Sequence, residues 1–156
     1  MSLASLVIRP MGLDDVPAVR ALELDACAHP THAWSEDNYR SSLGSGYWMQ
    51  VACEPEGAVV GVFVAMLGVD ELHLLNIAVA RAWQSQGLAR HFLALLIELS
   101  RQHHLQAIWL EVRPTNARAR ALYARQGYLD VGLRKQYYPA AEGREDALVM
   151  KREVTP

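Results

Sequence analysis

A chain of 156 residues can bury one sizeable core, and 51% hydrophobic with 21% charged residues is the composition of an ordinary soluble protein. The formal net charge of −2 leaves no basic stripe of the kind that marks nucleic-acid binding, and two cysteines, Cys27 and Cys53, make neither a disulfide framework nor a metal site. No apolar run reaches membrane-spanning length, and residues 1–6 lack a cationic segment followed by a long apolar run. The expectation is a single domain over 1–156 in the cytoplasm, with no signal peptide, membrane or nucleic-acid partner.

Leu6 to Arg9 reads as a first strand. Asp14 or Asp15 can cap a helix with Pro17 in its first turn, and Val16, Val19, Leu22 and Leu24 supply its apolar face to about Cys27. His29-Pro30-Thr31-His32 breaks it. Ser35 can cap a short helix over Glu36 to Leu43, ending at Gly44-Ser45-Gly46. Tyr47 to Cys53 and Ala58 to Leu67 are strands joined at Pro55-Glu56-Gly57, which predicts a hairpin. Glu71 to Val79 is a further strand. A long helix follows Gly87 to about His103, where His103-His104 close it. Ala107 to Val112 is a strand, and Asn116 caps a helix over Ala117 to Gln126 with Gly127 at its C-terminal cap. Tyr128 to Leu133 and Ala147 to Met150 are the last strands, with Gln136 to Arg144 as the loop between them. Strand–helix alternation in the second half predicts an α/β fold with a mixed, partly parallel sheet.

The segment Leu74 to Val79, then Gln84-Ser85-Gln86-Gly87-Leu88-Ala89, reads as strand, break and glycine-containing turn opening a helix. A helix start carries unpaired N–H groups and partial positive charge, which suits phosphate, and a glycine lets backbone approach a pyrophosphate closely. The spacing Q-x-x-G-x-A lacks the G-K-[ST] end of a P-loop and the three glycines of the dinucleotide fingerprint.

Three further places can carry chemistry. Glu111 stands in an otherwise apolar strand, where a carboxylate is costly unless paired or protonated. Alternation turns it away from Leu110 and Val112, so it either reaches solvent, pairs with Arg113 or Arg118, or serves a reaction. Tyr123 lies on a helix, where a tyrosine is either core with its hydroxyl at a rim or a general acid, since a phenol with a pKa of about 10 can protonate a leaving thiolate. Tyr137-Tyr138 and Trp34 either pack locally or grip a substrate chain. The six histidines show no metal spacing, and neither cysteine has a base or helix start beside it.

The cofactor strand Asn76-Ile77-Ala78-Val79 and the loop Gln84 to Ala89 together resemble the acetyl-CoA segment, [RQ]-x-x-G-x-[GA], of the GNAT acetyltransferases. Trp109-Leu110-Glu111-Val112-Arg113, Asn116, Ala121-Leu122-Tyr123 and Gly127-Tyr128 are similar to the second half of that family. Lys135-Gln136-Tyr137-Tyr138-Pro139, Gly143-Arg144-Glu145-Asp146-Ala147 and Trp34-Ser35-Glu36 resemble, more narrowly, the RimI-type ribosomal-protein-alanine N-acetyltransferases. Ala89 stands where glycine is more usual, and Ala33 precedes Trp34 where relatives often carry proline.

The resemblance implies a splayed mixed sheet of six to seven strands with about four helices, using acetyl-CoA as co-substrate and no metal. It implies that Ile77, Ala78 and Val79 meet the pantetheine arm, that Gln84, Ser85, Gln86, Gly87, Leu88, Ala89 and Arg90 hold the pyrophosphate, and that Asn116 touches the cofactor. It makes Glu111 the general base and Tyr123 the general acid, with Trp34, Tyr137 and Tyr138 on the substrate side. The partner it implies is the N-terminal peptide of a ribosomal protein, the eighteenth of the small subunit, acted on by a monomer or weak dimer. Two alternatives remain open: acetylation of a small amine, and a non-catalytic acyl-CoA sensor, which would need neither Glu111 nor Tyr123.

Overall fold

The computed structural model describes residues 2–27, 30–140 and 142–155, so His29 of the first break and Ala141 of the last loop lie outside the described residues. Seven strands, β1 (Val7–Pro10), β2 (Trp48–Cys53), β3 (Val59–Leu67), β4 (Glu71–Val79), β5 (Ala107–Val112), β6 (Leu129–Pro139) and β7 (Arg144–Glu153), form one sheet in the order β1-β2-β3-β4-β5-β7-β6. Four helices accompany them: α1 (Val16–Ala26), α2 (Glu36–Gly44), α3 (Leu88–Gln102) and α4 (Ala117–Arg125). The sheet is mixed, as expected. β4 and β5 pair in parallel, from Glu71 with Ala107 to Leu74 with Leu110, whereas β1–β2, β2–β3, β5–β7 and β6–β7 are antiparallel.

The chain forms two compact units. The first comprises Met1–Met66 and Asn76–Ala89. Its core is built from Val16, Val19 and Leu22 of α1, Tyr39 of α2, and the inward residues of β2 and β3, among them Val51, Val62 and Phe63. The α1 face departs from the expected one. Leu24 is 45% exposed, and Glu23 is buried in its place. At 100° per residue, position 23 lies between 16 and 19 on the helix circumference and position 24 falls outside their arc. Asp15 occupies the N-cap position of α1 but makes no side-chain cap. Its carboxylate instead takes both Arg9 nitrogens at 2.8 Å and the Gly12 amide at 2.8 Å. Ser35 caps α2 as expected, in a reciprocal pair with Asn38.

The second unit comprises Leu67–Leu75 and Arg90–Pro156. Phe92, Leu93 and Leu96 of α3 are fully buried, as are Leu72, Ile108 and Leu110 of the strands. Each such side chain contributes about 1.5 to 3 kcal/mol on leaving water. Asn116 caps α4 by accepting the Ala119 amide at 3.2 Å, and Gly127 takes the left-handed φ of 91° that ends a helix most cheaply in glycine.

The last hairpin is longer than its sequence predicts. β6 runs to Pro139 and β7 starts at Arg144, so Tyr137 and Tyr138 are strand residues, not loop residues. Leu129, Val131 and Leu133 alternate, but past Leu133 no apolar alternation announces the strand, and every β6 position except Tyr138 is exposed. Pairing past a bulge between Arg134 and Tyr138 holds it, with Tyr138 opposite Glu145 and Pro139 opposite Arg144. A proline is tolerated there because β6 is an edge strand.

Candidate active site

In the first unit the Q-x-x-G-x-A segment does fold as a turn ahead of a helix. After β4 the chain makes a short 3-10 helix, Arg81–Trp83, which Trp83 anchors through its indole N–H to Glu54 at 3.0 Å. Ser85 and Gly87 then adopt φ of 63° and 92°, and α3 starts at Leu88. Left-handed residues placed just before a helix turn successive N–H groups towards one side, a concavity that suits an anion. Gln84 does not point its amide there. It donates to the Val79 carbonyl at 3.0 Å and ties the turn to the end of β4. Gln86 likewise donates to Ala82 at 2.8 Å. Ser85, Gln86 and Arg90 are exposed, whereas Leu88 is buried and acts as an anchor. Ala78 and Val79 are buried, and Ile77 is half-buried.

Trp34 is half-buried before α2, its ring 5.3 Å from that of Tyr39 and its carbonyl held by Arg20 at 2.8 Å. Beneath it lies a group that the sequence reading missed. The Glu23 carboxylate accepts from the Tyr39 hydroxyl and from the Asn76 side chain. The signal was present, since Glu23 follows Val19 at helical spacing on the apolar face. Burial pushes its pKa up, against the lowering pull of Tyr39, Asn76, the Trp34 amide and Arg20.

The second unit holds the candidate catalytic pair. Glu111 faces the same side of β5 as Trp109, as alternation requires. Its side chain is 5% exposed, and it pairs with neither Arg113 nor solvent. Oε2 lies 2.6 Å from His73 Nε2 of β4, while Arg134 Nε stands 3.3 Å from Oε1. Oε1 is buried and has no hydrogen-bond partner. His73 stacks on Trp109, ring centroids 3.6 Å apart and planes 11° from parallel. The Arg134 guanidinium lies 5.5 Å from both the Trp109 and Tyr137 rings. A carboxylate hydrogen-bonded through one oxygen, with the other shielded from bulk water and making only an ion pair, keeps an acceptor site for a proton.

Tyr123 is buried on α4, and burial alone pushes its pKa up, so it stays a proton donor throughout the neutral range. Tyr137 and Tyr138 stand edge to face, 4.9 Å apart. Burial and then the Glu111 charge raise the pKa of both. Arg113, read only as a partner for Glu111, instead donates to Glu145 and to the Pro139 carbonyl, each at 2.7 Å, and lies 4.3 Å over the Tyr138 ring. Among the described residues no cluster of histidine, cysteine or carboxylate could hold a metal, both cysteines are free, and no helix is long and apolar enough to cross a membrane.

One unit thus carries a strand–turn–helix that suits an anion, and the other a buried carboxylate and a buried phenol. The sequence profile of the acetyltransferase (GNAT) family matches residues 17–128, and the chain belongs to that family. It is 38% identical over 136 residues, 87% of this chain and 89% of the relative, to the [ribosomal protein bS18]-alanine N-acetyltransferase of Escherichia coli strain K12. The enzyme of the same name from Salmonella typhimurium strain LT2 is 35% identical over the same span. Among solved structures, the ribosomal-protein-S18-alanine N-acetyltransferase from Escherichia coli matches with a TM-score of 0.84 at 34% identity, covering 97% of this chain and 95% of that one. Ard1 from Thermoplasma volcanium matches with a TM-score of 0.80 at 20% identity over 97% and 99%, a likeness of fold.

Proposed function

We propose that this chain acetylates the α-amine of an N-terminal alanine, and that its acceptor is the small-subunit ribosomal protein bS18, in the cytoplasm, as one domain over 1–156 working as a monomer or weak dimer. The observation that carries the reading is the Glu111 carboxylate, buried, fixed through Oε2 by His73 and faced at Oε1 by the Arg134 guanidinium alone. The relatives that are 38% and 35% identical over 136 residues are named for this acceptor.

Acetyl-CoA supplies the activated acetyl group. The turn at Ser85 and Gly87 fits its pyrophosphate, because backbone there presents N–H groups and Gly87 has no Cβ in a left-handed conformation. Ile77, Ala78 and Val79 line the pantetheine arm, and Gln84, Gln86, Leu88, Ala89 and Arg90 complete the phosphate turn with Asn116 as a further cofactor contact. Backbone N–H near Val79 polarises the thioester carbonyl.

An α-amine with a pKa of about 8 yields its proton far more readily at neutral pH than a lysine amine at about 10.4. A carboxylate, directly or through water, is sufficient for that task. Glu111 takes the proton, and Tyr123, kept neutral by burial, returns one to the departing sulfur. Trp34, Tyr137 and Tyr138 grip the extended peptide; a paired aromatic wall suits a chain better than a compact amine.

The test is CoA release with acetyl-CoA against a bS18 N-terminal peptide, the same peptide with a blocked N-terminus, spermidine and free amino acids. Turnover of the free peptide alone supports the reading. Turnover only of small amines overturns the acceptor and leaves the acyl-transfer chemistry in place.

A further inference from the structure

The His73–Glu111 contact goes beyond a base acting alone. His73 is buried, its ring plane is set by the stack on Trp109, and its Nε2 meets Oε2 of a carboxylate whose other oxygen has no hydrogen-bond partner. Neutral imidazole can satisfy a carboxylate only by donating, so Nε2 carries hydrogen and Nδ1 is the nitrogen left to gain a proton.

We propose that His73 is the positioning residue of the base and its pH switch. Its Nε2–H holds Oε2, so that Oε1 is the oxygen presented to the amine. When Nδ1 takes a proton, the resulting imidazolium lies in contact with the carboxylate and makes Glu111 a weaker proton acceptor. This rests on the acyl-transfer reading above, in which an ammonium and acetyl-CoA become an amide, free CoA thiol and one released proton. The nitrogen loses two protons as the C–N bond forms and the C–S bond breaks. One goes to Glu111 Oε1 and thence to solvent. The other replaces the proton that Tyr123 gives to sulfur.

The charged and titratable groups that the structure places round His73 in this unit are few. Glu111 faces it from β5. Arg134, on β6, faces the far oxygen of Glu111 at 3.3 Å. Tyr137, also on β6, is held neutral by burial and by that same carboxylate. Glu71, two positions along β4, is closed off in a 2.6 Å pair with Lys151 of β7. Of these, only the imidazole ordinarily titrates near neutral pH.

The experiment compares kcat against pH, at saturating substrates, for the wild type, His73→Gln and His73→Phe. Glutamine keeps a donor at nearly the reach of Nε2 but cannot ionise. The phenylalanine variant is expected to lose at least tenfold in kcat at every pH, with KM for acetyl-CoA within twofold. Glutamine is expected to rescue most of that loss at pH 8.5 and to move the acid limb at least one pH unit lower. A glutamine variant with the wild-type acid limb, or a phenylalanine variant with wild-type kcat, would overturn the proposal.

A second readout needs no acceptor and no folded His73 variant. The tautomer of the His73 ring is read from its nitrogen shifts by NMR at pH 8.5. A proton on Nε2 of the neutral ring in the wild type is expected, and a proton on Nδ1 instead would also overturn the proposal. If the Ala-starting peptide is not acetylated, the function reading alone fails, and the profile is taken with whichever amine is turned over.

Discussion

Arg113 and Glu145 meet at 2.7 Å, and the same Arg113 nitrogen donates to the Pro139 carbonyl at 2.7 Å. The residue just beyond β5 thereby fastens both strands of the terminal hairpin, with its guanidinium stacked over Tyr138.

Arg113→Ala should therefore act on stability and on the peptide side together. The Glu145 side chain is 22% exposed, so leaving it unpaired costs about 2 to 3 kcal/mol, less than for a fully buried pair. Lysine cannot serve carbonyl, carboxylate and ring at once, and Arg113→Lys should recover less than half of that. Urea denaturation reads the first effect. A KM that rises several-fold for peptide and stays level for acetyl-CoA reads the second. Wild-type stability in Arg113→Ala would remove the strap.

Glu111→Gln removes the acceptor oxygen and should lower kcat by about 100-fold or more. The loss should be greatest at low pH, because below about 8 the α-amine arrives protonated, and should narrow towards pH 9.5, where the amine is already free. A pH–rate profile parallel to that of the wild type would show that Glu111 is not the base.

Tyr123→Phe should reduce kcat about 10- to 100-fold while the Kd for acetyl-CoA changes less than twofold. Because burial raises the pKa of this phenol, the wild type should show no alkaline loss of activity from it up to its ordinary value near 10. Calorimetric binding beside the kinetics separates the two quantities, and an unaltered kcat would end the proton-donor role.

Glu23 makes a prediction about stability rather than rate. Its native pKa is raised, so the folded state binds the proton more tightly than the unfolded chain. Stability from this group is therefore present below the unfolded value near 4.3 and is lost as pH rises through the native one. Glu23→Gln should be at least as stable as the wild type at pH 7, and that margin should vanish near pH 4.5. Glu23→Ala leaves the Tyr39 O–H without its acceptor, while the Asn76 amide keeps its 3.0 Å bond to the Tyr39 oxygen, and should cost about 1 to 3 kcal/mol. Urea midpoints at the two pH values decide it. A glutamine variant weaker than the wild type at pH 7 would contradict the sign.

Local chemistry wrote much of this molecule into its sequence. β4 and β5 begin and end where their apolar runs do, α3 fills the stretch after Gly87, and Ser35 and Asn116 cap the helices that they precede. Those features depend on neighbours within a few residues, as does the alternation that put Glu111 beside Trp109 rather than Leu110. The Q-x-x-G-x-A turn is of the same kind, since Gly87 must supply its own left-handed backbone.

What Glu111 touches was not legible. His73 is 38 positions away in the chain and reaches Oε2 only because β4 and β5 pair in parallel with His73 opposite Trp109. Arg134 arrives from β6, an edge strand whose apolar alternation stops at Leu133 and whose continuation depends on hydrogen bonds to β7. Arg113 similarly found Glu145 instead of Glu111, because the fold brings the hairpin to it. The sequence by itself determined most of the elements, the glycine-containing turn before α3 and the candidates for an acid and a base. The tertiary structure decided which histidine holds Oε2 of Glu111 and which arginine faces Oε1. Both are set by strand register, a long-range property that no local run of residues carries.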